Sequence, residues 1–265
     1  MWDRSILKSN ARLALSGSKY WTAFAACVVA ALISNIFTII LGFVINNMSH
    51  VSYSYNYGPN NYGYSIDFTD ALRSPEVKWL SLLEILVTIL VVFPLSVGLS
   101  RFFVHNRFGD TKFETLFSSF KHGYGNSVGT MFVTYLITVL WSMLFVIPGI
   151  IKSLQYWLVP FLLSDNPNMS GSRARQLSRM MTDGEKGAIF VLYLSFIGWF
   201  FLAAIVIEIV GALCGPISML AATVITSFVT AYVQATFAEL YIFLRDRAIQ
   251  CGMVRPEELG LAPQA

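Results

Sequence analysis

Hydrophobic residues run with few interruptions through six stretches: Tyr20–Ile45, Trp79–Ser100, Ser127–Ile147, Ile150–Ser164, Ala188–Val210 and Ile217–Leu244. All but Ile150–Ser164 exceed the roughly 18 residues that mark a membrane-spanning helix. The segments leading into these runs are patterned differently. In residues 1–19, Arg4, Lys8 and Arg12 recur every four residues, with Leu7, Ala11, Ala14 and Leu15 on the other face; Asp3 is a plausible N-cap and Gly17 a stop. In the second segment Thr111 and Glu114 have capping-box spacing, and Phe113, Leu116, Phe117 and Phe120 fall at i, i+3, i+4 and i+7 before Gly123. In residues 165–187, Ala174, Leu177 and Met181 oppose Arg175 and Arg179, and Asp183-Gly184 ends the pattern. The pattern predicts an all-α polytopic membrane protein: six transmembrane helices as three hairpins, each preceded by a cytoplasmic interfacial amphipathic helix. For residues 1–19 the simpler reading is a positively charged topology anchor. Three like-oriented units suggest parallel repeats, although the shared grammar of membrane hairpins yields the same appearance.

Composition fits this class. The chain has 265 residues, 55% hydrophobic and 12% charged, with a mean hydropathy of +0.62, whereas soluble domains carry about 25% charged residues. The first run is too long for a cleavable signal core and no small-residue cleavage site follows it, so a retained helix is expected. Ile150–Ser164, with 15 residues, gives ~22 Å of helix against a ~30 Å hydrocarbon core, which leaves a re-entrant segment as its rival. Charge placement favours crossing. With six spans, every Lys and Arg except Arg73, Lys78 and Lys152 falls on one side, the cytoplasmic side under the positive-inside rule, together with both termini. Residues 1–250 then form the membrane domain, with an extracytoplasmic Tyr/Asn-rich loop at 46–78, and 251–265 a loose cytoplasmic tail. That loop contains Asn47-Met48-Ser49, a glycosylation-acceptor pattern common by chance, and Tyr53, Tyr55, Tyr57, Tyr62 and Tyr64; a mobile loop is favoured over a ligand surface.

Candidate chemistry is thin. Glu84, Lys152 and Glu208 lie inside apolar runs near the predicted outer ends, with Tyr156 nearby. Membrane charges tend to face a partner, so Lys152 is expected to pair with Glu84 or Glu208, the rival being separate snorkelling to the headgroups. Pro94 and Pro160 are predicted breaks at matching places in spans two and four; interrupted helices point to intramembrane sites, although proline near a helix end also needs no functional cause. Asp165 and Asn166, just beyond Pro160, make a candidate cytoplasmic site. Arg4, Lys8, Arg12, Arg175 and Arg179 are expected to contact lipid headgroups and not nucleic acid, because they adjoin the spans. Cys27, Cys214 and Cys251 are isolated, as are His50, His105 and His122. No metal, phosphate-loop or hydrolase motif is present. Neither a metal, a cofactor nor catalysis is therefore expected.

Several pieces resemble an uncharacterised family of bacterial integral membrane proteins, catalogued as domain of unknown function 975. They are Pro148-Gly149-Ile150-Ile151-Lys152, Tyr156, Asp165-Asn166-Pro167-Asn168, Ser178, Met180-Met181, Gly184, Lys186 and Leu194-Ser195-Phe196-Ile197-Gly198-Trp199, with Asp3-Arg4 and Leu7-Lys8-x-x-Ala11-Arg12 similar at the amino terminus. Ile217 replaces an aromatic associated with the pattern. The resemblance implies a bacterial cytoplasmic membrane and supplies no activity. The expected function is a non-catalytic protein that binds or scaffolds lipid, another membrane protein or further copies of itself. A transporter or channel with a path near the Pro94 and Pro160 helices is the alternative, and a lipid-modifying enzyme the third.

Overall fold

The computed structural model describes residues 2–48, 75–109, 112–214 and 218–261. Within these, every regular element is helical, as expected for a chain that must satisfy its backbone groups inside lipid. Helix α1 spans Arg4–Ala14 and α2 Ser18–Met48. After the 46–78 loop, most of which lies outside the described residues, come α3 (Pro75–Val87), a π-helical turn at Thr88–Val92, and α4 (Phe93–Arg107). A 3-10 turn at Phe113–Phe117 leads into one turn of helix, α5 (Ser118–Lys121), followed by α6 (Tyr124–Leu144), α7 (Val146–Tyr156) and α8 (Val159–Asp165). The chain continues with α9 (Gly171–Met181), α10 (Lys186–Leu194), α11 (Ile197–Cys214), α12 (Ser218–Gln250) and a 3-10 turn at Pro256–Leu259. Six helical stretches are long and apolar enough to cross a membrane: Ser18–Ile40, Val77–Arg107, Tyr124–Leu144, Val146–Asp165, Lys186–Val210 and Leu220–Gln250.

The molecule is polarised along these helices. Exposed large apolar side chains cover α6 and α11, and the residues joining α6 to α7 are among the barest: Met143, Leu144, Phe145, Val146 and Ile147 are 65–78% exposed. The buried core lies towards the other end. It joins Leu7 and Ala11 of α1 to Phe102 and Phe103 of α4, Phe161 and Leu162 of α8, Leu177 and Met181 of α9, and Tyr241 and Leu244 of α12. That end holds most of the charged pairs described below. Helix α12 has 33 residues, about 50 Å, so it outruns a ~30 Å hydrocarbon layer. Its charged last turns run alongside α1, which packs on α12.

Several sequence expectations change. The fourth apolar stretch is 20 residues long, Val146–Asp165, and not the 15 of Ile150–Ser164, which removes the length objection to its spanning. Pro148-Gly149, a dipeptide that ordinarily marks a turn, is not where the chain turns. Phe145 turns the chain with extended backbone, Pro148 sits in the first turn of α7 where its missing N–H costs nothing, and Gly149 lets α7 touch α6. A Cβ there would lie 2.3 Å from Ser142 Oγ. The second predicted amphipathic helix is instead the 3-10 turn followed by α5. Its first residue, Thr111, lies outside the described residues, and Leu116 is pressed so closely on α4 that a Cβ on Gly98 would meet its carbonyl oxygen at 1.8 Å. The fifth run is interrupted at Ser195–Phe196, where Ser195 Oγ donates to Leu192 O at 2.6 Å. Gly17, Gly123 and Gly184, the three predicted stops, all take left-handed φ of 66°, 68° and 74°.

Of the expected loose tail at 251–265, residues 251–261 are described and are docked. Leu259 and Val254 are buried, and Asn166 Nδ2 donates to Glu258 O at 2.8 Å. Apolar side chains at 254 and 259, flanking a proline that starts a 3-10 turn, give this short segment a core contact that its polar composition hid.

Candidate functional site

Of the predicted outer polar cluster of Glu84, Lys152, Tyr156 and Glu208, only Lys152 and Tyr156 are seen in contact among the described residues. Glu84 Oε1 accepts a hydrogen bond from Thr38 Oγ1 of α2 at 2.6 Å. The Lys152 ammonium lies 5.1 Å from the Trp141 ring centroid and 5.8 Å from that of Tyr156, within cation–π range. Glu208 is exposed on α11. Among the described residues no ion pair joins Lys152 to either carboxylate. The expected pairing is wrong because each residue faces its own packing partner: Glu84 on α3 turns to α2, and Lys152 on α7 turns to α6.

The two prolines act locally. Pro94 does not break its helix. Its missing N–H is absorbed by the π-helical turn before it, where Phe93 N–H reaches back to Thr88 O. The Leu90 carbonyl, four residues before Pro94, accepts Tyr124 OH from α6 at 2.9 Å. Pro160 does coincide with a break, between α7 and α8. There the Gln155 carbonyl accepts Ser178 Oγ from α9 at 2.6 Å. At both places a hydroxyl from another helix satisfies a carbonyl near a proline, the usual way such helices are accommodated at membrane depth.

Asp165 and Asn166 are where polar chemistry converges. Asp165, with a side chain 10% exposed, ends α8. Its Oδ2 accepts Tyr241 OH at 2.6 Å and Arg245 Nη1 at 3.3 Å. Tyr241 and Arg245 are four apart and therefore share a face of α12. Arg101 Nε donates to the neighbouring Ser164 carbonyl at 2.7 Å. Asn166 Oδ1 accepts from Asn168 N–H at 2.9 Å, closing a turn, while Asn126 Nδ2 donates to Pro167 O and Met169 O at 2.8 and 2.7 Å. Asp165-Asn166-Pro167-Asn168 is thus a junction that ties α4, α6, α8, α12 and the C-terminal segment together.

Further ion pairs surround it. Arg107 Nε lies 2.5 Å from Glu239 Oε1, and Arg247 Nη1 2.5 Å from Glu185 Oε1. Glu185 Oε2 also accepts Trp2 Nε1 at 3.0 Å, which fastens the amino terminus to the α9–α10 connection. Arg173 grips Glu258 with two nitrogens, at 2.6 and 3.1 Å. The hydrogen bond from Arg173 holds the Glu258 carboxyl below its usual range. Lys186 binds Asp183 at 2.9 Å and likewise lowers that carboxyl.

The residues expected at headgroups divide. Lys8 turns inward: its ammonium donates to Ser195 O at 3.4 Å and lies 4.4 Å from the Phe196 centroid. Burial, then the Arg12 and Arg4 charges, lower its pKa. Arg12 lies 5.8 Å from the Tyr232 ring. Arg4 and Arg179 are exposed and Arg175 is partly so. The pairing roles of Arg101, Glu185, Glu239, Tyr241, Arg245 and Glu258 were not read from the sequence, in which Glu239 reads as an interfacial residue and Arg101 and Arg245 as flanking charges; the i, i+4 spacing of Tyr241 and Arg245 was the available signal. An open-sided cleft of about 310 Å³ separates α7 from α10, lined by Ile150, Ser153, Leu154, Phe190 and Tyr193. Among the described residues no group of three His, Cys, Asp or Glu is placed to hold a metal ion.

Six apolar helices with their buried ion pairs drawn to one end define a multi-pass membrane-type helical protein. Residues 77–248, more than half of the chain, match the family described as protein of unknown function (DUF975), and the chain belongs to that family. The match begins after the amino-terminal residues that carried part of the resemblance. Comparison with curated proteins and with solved structures gives no match.

Proposed function

We propose that the protein is a non-catalytic scaffold of the bacterial cytoplasmic membrane, engaging lipid or another membrane protein, with three hairpins and with both termini and the ion-paired end in the cytoplasm. One observation carries the proposal: the buried carboxylates Asp165, Glu185 and Glu239 are each engaged by an arginine of another helix. Groups committed to cross-helix pairs stabilise an arrangement and have no charge to spare for a substrate. The hydroxyl-capped carbonyls near Pro94 and Pro160 favour the same reading over a transport path through those helices. The basic residues at the ion-paired end support its cytoplasmic placement.

Two measurements test this. Cysteines at Ser52 and Ser172, labelled with an impermeant maleimide, are expected to react from opposite sides; labelling from one side refutes the six-span arrangement. Purified protein in liposomes of native lipid is expected to move no solute above the empty-vesicle rate. A saturable flux that survives in Glu84→Gln and disappears in Asp165→Asn refutes the scaffold and restores the transporter.

A further inference from the structure

We infer that the cleft between α7 and α10 is a binding site for one acyl chain of an anionic phospholipid, whose phosphate rests at the α9–α10 connection. This rests on the reading that these helices lie in a bilayer, and it names the ligand class of the scaffold. The cleft's walls are Ile150 and Leu154 of α7 and Phe190 and Tyr193 of α10, with Ser153 the one small polar group. Its volume of about 310 Å³ is at the lower bound for a ligand site, about 300 Å³, which suits a single chain better than a folded ligand. Both walls belong to membrane-length apolar stretches, so the open side faces hydrocarbon. Past Leu194 the helix breaks and α11 packs on α12; Tyr193 rests on Phe237 of α12, ring centroids 4.3 Å apart, so α12 meets one wall of a cleft that stays open-sided.

Charge at one mouth selects the occupant. The connection from Ser178 to Lys186 runs from wall to wall at the ion-paired end. Ser178 Oγ bonds the Gln155 carbonyl, one residue past Leu154, and Lys186 precedes Phe190 by about one helical turn. Phe190 and Tyr193 therefore lie about 6 and 10 Å deeper than Lys186 along α10, the relation of an acyl segment to its own phosphate. Two cations stand on this connection. Both face the exposed Asp183: Lys186 binds it at 2.9 Å, and the exposed Arg179 acts on it through its charge without an ion pair among the described residues. A phosphate can draw both without breaking a buried pair. A zwitterionic lipid brings its own cation to the same place, and a second copy of this chain would present apolar side chains to a mouth that is charged.

The test uses full-length protein in nanodiscs containing phosphatidylglycerol or phosphatidylcholine with a photoreactive diazirine midway along one chain, the adducts being mapped by mass spectrometry. Phosphatidylglycerol adducts are expected to concentrate on Ile150–Leu154 and Phe190–Tyr193. They should exceed phosphatidylcholine adducts there by about five-fold for each engaged cation. Ser153→Trp fills the cleft and is expected to abolish the enrichment, while Leu202→Trp on α11 leaves it intact. Arg179→Gln keeps the adducts and lowers the headgroup preference about five-fold, to what Lys186 alone supplies; an unchanged preference overturns the phosphate's place at this connection. Adducts spread evenly over α6, α7 and α11 overturn the site while leaving membrane insertion intact. Absence of adducts on all three helices overturns insertion itself. Crosslinks from the cleft to another copy of the chain overturn the lipid as occupant.

Discussion

Replacing Asp165 with Asn is the sharpest test of the polar junction. The substitution preserves volume and one acceptor for Tyr241 OH while removing the charge that faces Arg245, whose side chain is 9% exposed. Breaking a buried ion pair by removing one partner costs about 3–5 kcal/mol, because the other charge is left unpaired. Two features reduce that here. Arg245 Nε keeps Asp246 at 3.2 Å, although that carboxylate is 53% exposed and so weakly held. The amide oxygen also still accepts from Tyr241. The expected cost is thus about 2–3 kcal/mol. Tyr241→Phe removes a hydrogen bond to a charged group, worth about 1.5–3 kcal/mol. Both changes act on one carboxylate, so the double variant should cost less than the two singles combined. Reversible unfolding in mixed micelles, read by circular dichroism, measures all three variants. An Asp165→Asn variant within about 0.5 kcal/mol of the parent, the level of an ordinary surface change, or strict additivity in the cycle, refutes a shared buried network.

Three other outcomes follow from single contacts. Tyr124→Phe strands the Leu90 carbonyl and should cost about 1–3 kcal/mol in the same unfolding assay; adding Pro94→Ala, which restores an N–H four residues on, should recover most of that loss. Gly98→Ala places a methyl group against the Leu116 backbone and should cost at least the ~1–3 kcal/mol of an overpacked core, with faster hydrogen exchange confined at first to residues 113–121. Glu258 is depressed by its hydrogen bond from Arg173, so the docking it supports is complete above the unfolded value of about 4.3 and is lost as pH falls through the lower folded value. Hydrogen exchange of residues 253–261 should therefore accelerate on acidification after correction for the intrinsic rate, and Glu258→Gln should remove that dependence.

The apolar runs and glycine stops were legible because they express local physics: a long hydrophobic stretch has few alternatives to a membrane helix, and a left-handed turn selects glycine. Pro94 and Pro160 were visible as well, but their effects were not, since the hydroxyls that satisfy nearby carbonyls come from Tyr124 and Ser178. Charge pairing was the least legible. Lys152 drew attention because it is rare in an apolar run, yet it settles on the ring of Trp141 one helix away and on that of Tyr156 in its own helix. Arg245 and Glu185 resembled ordinary flanking charges, and their partners are 80 and 62 residues distant. Separations of that size leave no periodic trace. Tail docking was hidden for the same reason, since Glu258 finds Arg173 85 residues earlier.

The Asp165–Arg245 separation also has a meaning in time. With 80 residues between them and synthesis at about 5–20 residues per second, Asp165 waits roughly 4–16 s for its cation. During that interval an unpaired carboxylate terminates the fourth apolar stretch, and hydrocarbon is closed to it. With the cytoplasmic placement proposed above for this end, it must stay at the water-facing border, holding that end of α8 at the surface on which it was made. The last helix therefore does more than complete the bundle: its arrival converts a temporary surface anchor into an interior tie, and any chain released before Arg245 emerges is left with the anchor and without the tie.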